Sequence, residues 1–427
     1  MPVKFHVERM MHRSSIAVTG ESAASYALIK LIPSGDSSTN SLPSLPLNIG
    51  LVLDVSGSMY EDDGLGVSRL ERVQEAALAA IAKLKPEDTL SVAAFAHEAQ
   101  VVLPPTRLAD FAAIEDAVRR IDSFGVDPGG TAMDQGVARG MEEVKKNVGS
   151  GRINQVVVLT DGETTQAETC RTLAQQARDQ KIRLTLLGVG IEWNAELLKD
   201  MARRSEGRWC YIDASQAQEA GRVFHREFDR LSATAFTNVE FQIRPARGVR
   251  IKRLRQVVPE ITDVQLEERE DRRLAAQLGA LEKDQARRYI LEMSLPRRPD
   301  GRYVIAQMEI TYDLGVGQRD TSGPLPLEMQ YTTAGPGYVN AEVAKHIDEI
   351  QIYELNNNLQ KALAANNASE AQRLAENIAK KGDIMGPRGA LKTRLARQVL
   401  EELHQGGRVS KKTQLAVDDA ARFAEVE

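Results

Sequence analysis

Asp54, Ser56 and Ser58 place one carboxylate and two hydroxyls within five residues, with Gly57 bending the loop between the serines. Such hard oxygen donors suit a hard divalent cation such as Mg²⁺. Asp161 supplies a second carboxylate, in Leu159-Thr-Asp-Gly-Glu163, and Thr131 a third hydroxyl, directly after Gly129-Gly130. Two carboxylates and three hydroxyls match an octahedral Mg²⁺ site that keeps at least one open position. Each segment has a plainer reading. Ser, Gly and Asp all favour turns, Asp161-Gly162 is a common turn pair, and Thr131-Ala-Met-Asp134 reads as a helix N-cap.

The elements around these residues decide between the two. Asn48 to Leu53 is a short apolar run with Ile49, Leu51, Val52 and Leu53, the pattern of a strand buried on both faces of a parallel sheet. Val156 to Leu159 repeats it, and Asp161 follows as Asp54 follows the first run. Strand ends of one parallel sheet lie on one edge, so the five oxygens can converge there.

Strand and helix patterns alternate from Asn48 to about Leu231. Helical stripes run through Leu70, Val73, Ala77, Ile81 and Leu84, through Phe111 to Ile121, and through Val137, Met141, Val144 and Val148. Others include Cys170, Leu173 and Ala177, then Leu197, Leu198 and Met201, then Phe224, Phe228 and Leu231. Between them Thr89 to Phe95, Gln100 to Leu103, Ile182 to Val189 and Trp209 to Ile212 read as strands. This predicts an α/β domain over 48–233, a doubly wound, mainly parallel sheet of Rossmann-like type.

On either side the period changes to two. Val3 to Val7 and Tyr26 to Leu31 alternate before the domain, within 1–35. Val239 to Ile243, Tyr289 to Leu295, Val304 to Tyr312 and Leu327 to Tyr331 alternate after it, within 234–335. Together they predict one antiparallel β-sandwich interrupted in sequence by the α/β domain. The stretch 338–427 is helical, with Val343, Ile347 and Ile350 opening a long helix that ends at Asn366-Asn367. Ser369-Glu-Ala-Gln372 reads as a capping box for the next helix and Lys380-Lys-Gly382 as its stop. Two further helices carry Leu391 to Leu403 and Leu415 to Phe423. No second copy at a fixed period supports a solenoid.

Asp54-x-Ser56-x-Ser58, Gly129-Gly130-Thr131 and Thr160-Asp161-Gly162 resemble, in order and rough spacing, the metal-ion-dependent adhesion site of von Willebrand factor type A (VWA) domains. The resemblance covers about Asn48 to Ala214, and all five ligand positions match. It implies a Rossmann-like fold holding a divalent cation, usually Mg²⁺ (Mn²⁺ or Ca²⁺ in its place), whose open position is filled by an Asp or Glu of a protein partner. The flanks also resemble bacterial intracellular proteins in which this domain sits in a β-sandwich and precedes C-terminal helices.

Composition narrows the function further. The chain has 427 residues, 27% charged and 42% hydrophobic, with a formal net charge of -5. No global positive excess points to nucleic acid, and no run of about 18 apolar residues points to membrane insertion, so the simplest expectation is a cytoplasmic protein. Cys170 and Cys210 read as core thiols, and six scattered histidines offer no zinc site. The expected function is a metal-dependent protein-interaction module rather than an enzyme. The competing readings are a Mg²⁺-dependent phosphoryl-transfer enzyme and an ATPase-associated, chelatase-like subunit. Against an enzyme, there is no Gly-x-x-x-x-Gly-Lys-[Ser/Thr] loop, no Gly-x-Ser-x-Gly elbow, and Ser56 stands where a second Asp would follow Asp54. Glu163 and Asp62-Asp63 read as exposed loop residues. The run Arg244, Arg247, Arg250, Lys252, Arg253 and Arg255 reads as a solvated sheet face.

Overall fold

The computed structural model describes residues 4–18, 22–34, 45–62, 66–123, 127–149, 151–216, 218–283, 285–314 and 318–423. The chain divides into two compact units: Pro43–Thr237 with Asp313–Gln318, and the remainder, Met1–Leu42, Asn238–Tyr312 and Arg319–Glu427.

The flanking unit starts with strands β1 (Lys4–Met11), β2 (Ser15–Ala17) and β3 (Ser22–Ser34). The α/β unit follows with β4 (Leu47–Asp54), α1 (Arg69–Ile81), β5 (Thr89–Phe95), β6 (Ala99–Arg107), α2 (Phe111–Arg119) and α3 (Met133–Lys145). It continues through β7 (Ile153–Thr160), α4 (Ala167–Asp179), β8 (Arg183–Val189), α5 (Ala195–Arg204), β9 (Arg208–Ile212) and α6 (Glu219–Ala233). Its six strands are ordered β6-β5-β4-β7-β8-β9, parallel except for the edge strand β6. β4 therefore lies in the middle. The chain leaves it for β5 on one side and later returns to β7 on the other, which makes the β4–β7 crevice the switch point where open sheets hold ligands.

Side chains alternate across β4, and both faces are covered. Leu47, Ile49, Leu51 and Leu53 share one core cluster with Val73, Ala77 and Ile81 of α1, Val118 of α2 and Phe224 and Phe228 of α6. The other face meets α3 at unusually close range. A Cβ on Gly140 would lie 2.5 Å from Val52 Cγ2, and one on Gly136 would lie 2.6 Å from Phe95 Cδ1. Two glycines one helical turn apart let α3 lie directly on β4 and β5, which fixes the loop leading into it beside the strand ends.

The flanking unit's later strands are β10 (Thr234–Pro245), β11 (Arg250–Val258), β12 (Thr262–Val264), β13 (Glu267–Glu268), β14 (Leu274–Glu282), β15 (Arg287–Pro296), β16 (Gly301–Leu314), β17 (Gln318–Thr321) and β18 (Leu325–Thr332). They form two sheets, β1-β3-β15-β11-β12 and β13-β14-β10-β16-β18-β2, with β17 on β16. N-terminal strands enter both: β3 pairs with β15 along its length, and β2 pairs with β18 in parallel. Tyr331 of one sheet donates its hydroxyl to Pro296 O of the other at 3.0 Å. β2, β12, β13, β14 and β17 lie outside the strands expected from the sequence. β2 is three residues long, and β14 (Leu-Ala-Ala-Gln-Leu-Gly-Ala-Leu-Glu) is too rich in Ala and Gly to alternate.

Four helices complete this unit: α7 (Ala341–Ala364), α8 (Ala368–Ile384), α9 (Ala390–Gly406) and α10 (Lys411–Arg422). Val343 and Ile350 of α7 pack with Leu28, Val257 and Ile290 of the sandwich. Two expected boundaries move. Asn367 caps α8, its side chain accepting from Glu370 N, so Ser369-to-Gln372 is not a capping box. Gly382 does not stop the helix but sits inside it, where a Cβ would lie 2.3 Å from Thr393 Oγ1 of α9. That glycine serves helix contact. The end of the basic run is compensated: Arg255, buried, pairs with Asp263 at 2.7 Å and Glu354 at 3.0 Å, and Arg253 pairs with Glu354 at 2.8 Å. Arg255 thus departs from the expected solvated face. Neither cysteine is in a disulfide, both are buried, and burial pushes the Cys170 thiol up to about 12. Among the described residues no helix is long and apolar enough to cross a membrane.

Candidate metal centre

Asp54 is the last residue of β4 and is fully buried. Its Oδ1 accepts from Ser56 N at 2.9 Å and its Oδ2 from the Thr160 hydroxyl at 2.6 Å. Thr160 ends the neighbouring strand β7, so the two strand ends are joined by side chains as well as by the ladder. Ser56 leads into a 3-10 turn, Gly57–Tyr60, whose Gly57 N donates to Pro128 O at 2.9 Å. That bond ties the serine loop to the segment preceding Thr131. The Ser56 and Ser58 hydroxyl oxygens lie 3.3 Å apart, and Ser58 donates to Asp161 Oδ1 at 2.7 Å.

Asp161, also fully buried, takes a second bond on Oδ2 from Arg69 Nη1 at 2.8 Å. Thr131 closes the group. A Cβ on Gly162 would lie 3.0 Å from Thr131 Oγ1, so the glycine after Asp161 is what lets the two loops touch. The N-cap of α3 is Ala132, with no side-chain cap bond, so Thr131 is not the helix cap its sequence context allows. The serine loop is thus bonded to the segment before Thr131 and to Asp161, and the Thr131 and Asp161 loops touch. Of the glycine-rich loop before Thr131, residues 124–126 lie outside the described residues, as does Asp63; Asp62 and Glu163 are exposed.

The electrostatics follow from burial. Loss of solvent pushes the Asp54 carboxyl up to about 6, opposed by its hydrogen bonds to Ser56 and Thr160 and reinforced by the charge of Asp161. Two buried carboxylates, with one arginine on Asp161, leave an excess of negative charge that a small cation can offset. The donor set fits such an ion. Among the described residues no three His, Cys, Asp or Glu side chains come together as a metal cluster. Hydroxyls and carboxylates are hard ligands, and here hydroxyls outnumber carboxylates.

The sequence gives no role to Arg69, and names Thr160 only within the Thr160-Asp161-Gly162 motif. Thr160 precedes a ligand candidate at the end of a strand, a placement that could have drawn attention to it. Arg69 had no such signal, because it stands 92 positions before Asp161 and only the fold brings them together.

A central parallel sheet with helices on both faces and oxygen donors at its switch point defines the class. The von Willebrand factor type A domain model matches residues 48–224. An uncharacterized protein of Synechocystis sp. is 33% identical over 343 residues, covering 79% of this chain and 78% of that protein. The chain belongs to this family of VWA-domain proteins. Inter-alpha-trypsin inhibitor heavy chain H1 of Mesocricetus auratus is 28% identical over 216 residues, 47% of this chain but 22% of that protein. A von Willebrand factor type A structure from Catenulispora acidiphila superposes with a TM-score of 0.78 at 18% identity, over 99% of this chain and 97% of that one. The ArnB paralog VWA2 of Sulfolobus acidocaldarius does so at 0.57 and 13% identity, over 99% of both chains. At these identities the two structures establish a shared fold.

Proposed function

We propose that the chain is a metal-dependent protein-interaction module and not an enzyme, with the ion held by Asp54, Ser56, Ser58, Thr131 and Asp161. The observation that carries this reading is the pairing of two fully buried carboxylates, Asp54 and Asp161, at adjoining strand ends, with two hydroxyls on the loop that follows Asp54 and a third, Thr131, against Gly162. When bound, Mg²⁺ (or Mn²⁺ or Ca²⁺) supplies an exchangeable coordination position that prefers an oxygen anion, which on another protein's surface is an Asp or Glu.

The chain's own residues do the rest. Thr160 and Ser56 N hold Asp54 in one orientation, so its charge faces the crevice without reorganisation. Ser58 holds Asp161 in the same way. Gly136 and Gly140 seat α3 on the sheet, which carries Thr131 to the rim. Among the described residues, Ser58 and Thr160 donate to the two carboxylates and Ser56 lies 3.3 Å from Ser58, and none of these hydroxyl bonds is to a histidine that could act as a base.

The test is an affinity capture with the full chain as bait, in millimolar Mg²⁺ and again with chelator. A partner retained only with Mg²⁺, and lost with Asp54→Ala, supports the reading. A partner held equally with chelator places the binding surface elsewhere, and turnover of nucleotide by the purified chain favours an enzyme. The domain should also gain about 2.7 kcal/mol of stability when the ion is ~100-fold above its Kd.

A further inference from the structure

We infer that Arg69 is a tethered cation that competes with the divalent ion for Asp161 and so sets a weak, adjustable metal affinity; this rests on the metal reading above. Arg69 is the first residue of α1, directly after the N-cap Ser68. The capping box is complete, with Ser68 accepting from Glu71 N and Glu71 accepting from Ser68 N. It fixes where the helix begins. A side chain at that position leans back toward the helix N-terminus, here toward the serine loop. Arg69 N also donates to Glu61 O at 3.2 Å, which pins the helix start to the end of that loop.

A cation in the first turn of a helix opposes the helix dipole, so local structure gives Arg69 no reason to be there. The reason is tertiary. Its Nη1 donates to Asp161 Oδ2 at 2.8 Å, and its Nη2 lies 3.4 Å from Glu61 Oε2. Asp161 has its other oxygen on Ser58, so the guanidinium takes the remaining charged face of a proposed ligand. The hold is incomplete: Nε is buried without a hydrogen bond, and the second Nη1 contact, to Ser58 O, is long at 3.5 Å. Glu61 is largely exposed, with 64% of its side chain accessible, and offers the guanidinium an alternative partner.

Two consequences follow. In the metal-free chain Arg69 compensates a carboxylate that would otherwise be buried and uncompensated. With an ion present, Arg69 is a like charge beside it, which weakens binding and leaves the loaded site with a net positive charge toward an acidic partner. Glu61 sets the balance by drawing Arg69 from Asp161.

The experiment measures Mg²⁺ affinity by calorimetry, and Mg²⁺-induced change in melting temperature, for the full chain and for Arg69→Gln, Arg69→Lys and Glu61→Gln at fixed pH and ionic strength. Arg69→Gln should bind Mg²⁺ about tenfold more tightly, the scale on which a neighbouring charge moves an ionic equilibrium. Its metal-free form should melt lower and its Mg²⁺-induced rise be larger, a readout that survives a weakened fold. Arg69→Lys should stay close to the parent, and Glu61→Gln should bind more weakly. Metal binding by the parent too weak to detect but restored in Arg69→Gln also supports the proposal. Equal affinities in the parent and Arg69→Gln overturn the role of Arg69 while leaving the metal site standing. No binding by any form overturns both.

Discussion

Asp54→Asn should stabilise the metal-free protein at neutral pH, because the native carboxylate is ionised there at a cost. Burial raises the folded-state pKa of Asp54 from 3.8 to about 6. For a carboxyl raised on folding, the contribution to stability is fully present below the unfolded-state value and is lost as pH rises through the folded-state value. At 1.36 kcal/mol per pKa unit, the accumulated cost is about 3 kcal/mol at pH 7.5 and about 1 kcal/mol at pH 4.5. No discount for solvent applies, since the residue has no exposed surface. Asparagine keeps the acceptor that Ser56 N requires and can donate to the Thr160 oxygen. Metal-free Asp54→Asn should therefore melt roughly 6–12 °C above the parent at pH 7.5, with the difference shrinking toward pH 4.5. Mg²⁺ should reverse the order. The parent regains about 2.7 kcal/mol at ~100-fold excess over Kd, nearly closing the gap, and passes the variant at higher ratios. Differential scanning fluorimetry at several pH values, with Mg²⁺ and with chelator, reads both effects. A metal-free variant that melts below the parent at pH 7.5 would falsify the claim that the Asp54 charge is a burden awaiting a cation.

Three further outcomes are expected. Thr131→Val should abolish the Mg²⁺-induced rise in Tm yet change metal-free stability by less than about 0.5 kcal/mol, because the α3 N-cap is Ala132; a loss near 1 kcal/mol in metal-free melting would mean that Thr131 is a cap after all. Gly382→Ala should destabilise the flanking unit by about 1–3 kcal/mol in urea melts, since its Cβ would collide with Thr393 Oγ1 at 2.3 Å; an unchanged midpoint would mean that α8 and α9 separate freely. For a confirmed partner, one Glu→Gln or Asp→Asn change should weaken binding by about 2–5 kcal/mol in calorimetry, and a scan of its acidic residues that finds none of importance would move the contact elsewhere.

The division between sequence and tertiary structure follows the range of the forces involved. The α/β class was legible because β4 and β7 are buried on both faces and read as unbroken apolar runs, while helices between them keep a 3.6 period. Both are properties of neighbouring residues. The same holds for Asp54, Ser56 and Ser58, which lie within five positions, and for Asp161, marked by its place after a second such run. Helix ends were less legible. Asn367 and Ser369 offer similar caps, and Gly382 resembles a stop signal until α9 is packed against it.

Other features needed the assembled chain. Gly136 and Gly140 look like weak points in a helix until Val52 and Phe95 lie beneath them. Arg255 belongs to a basic run in sequence but is buried between Asp263 and Glu354, the latter 99 positions away. Arg69 could be paired with Asp161 only once α1 and β7 were placed on one sheet. Sequence determined which side chains could bind an ion, since hydroxyl and carboxylate chemistry travels with the residue. Tertiary structure decided how much charge is buried with them and which cation stands beside them, because desolvation and Coulomb energy depend on distances the sequence does not contain.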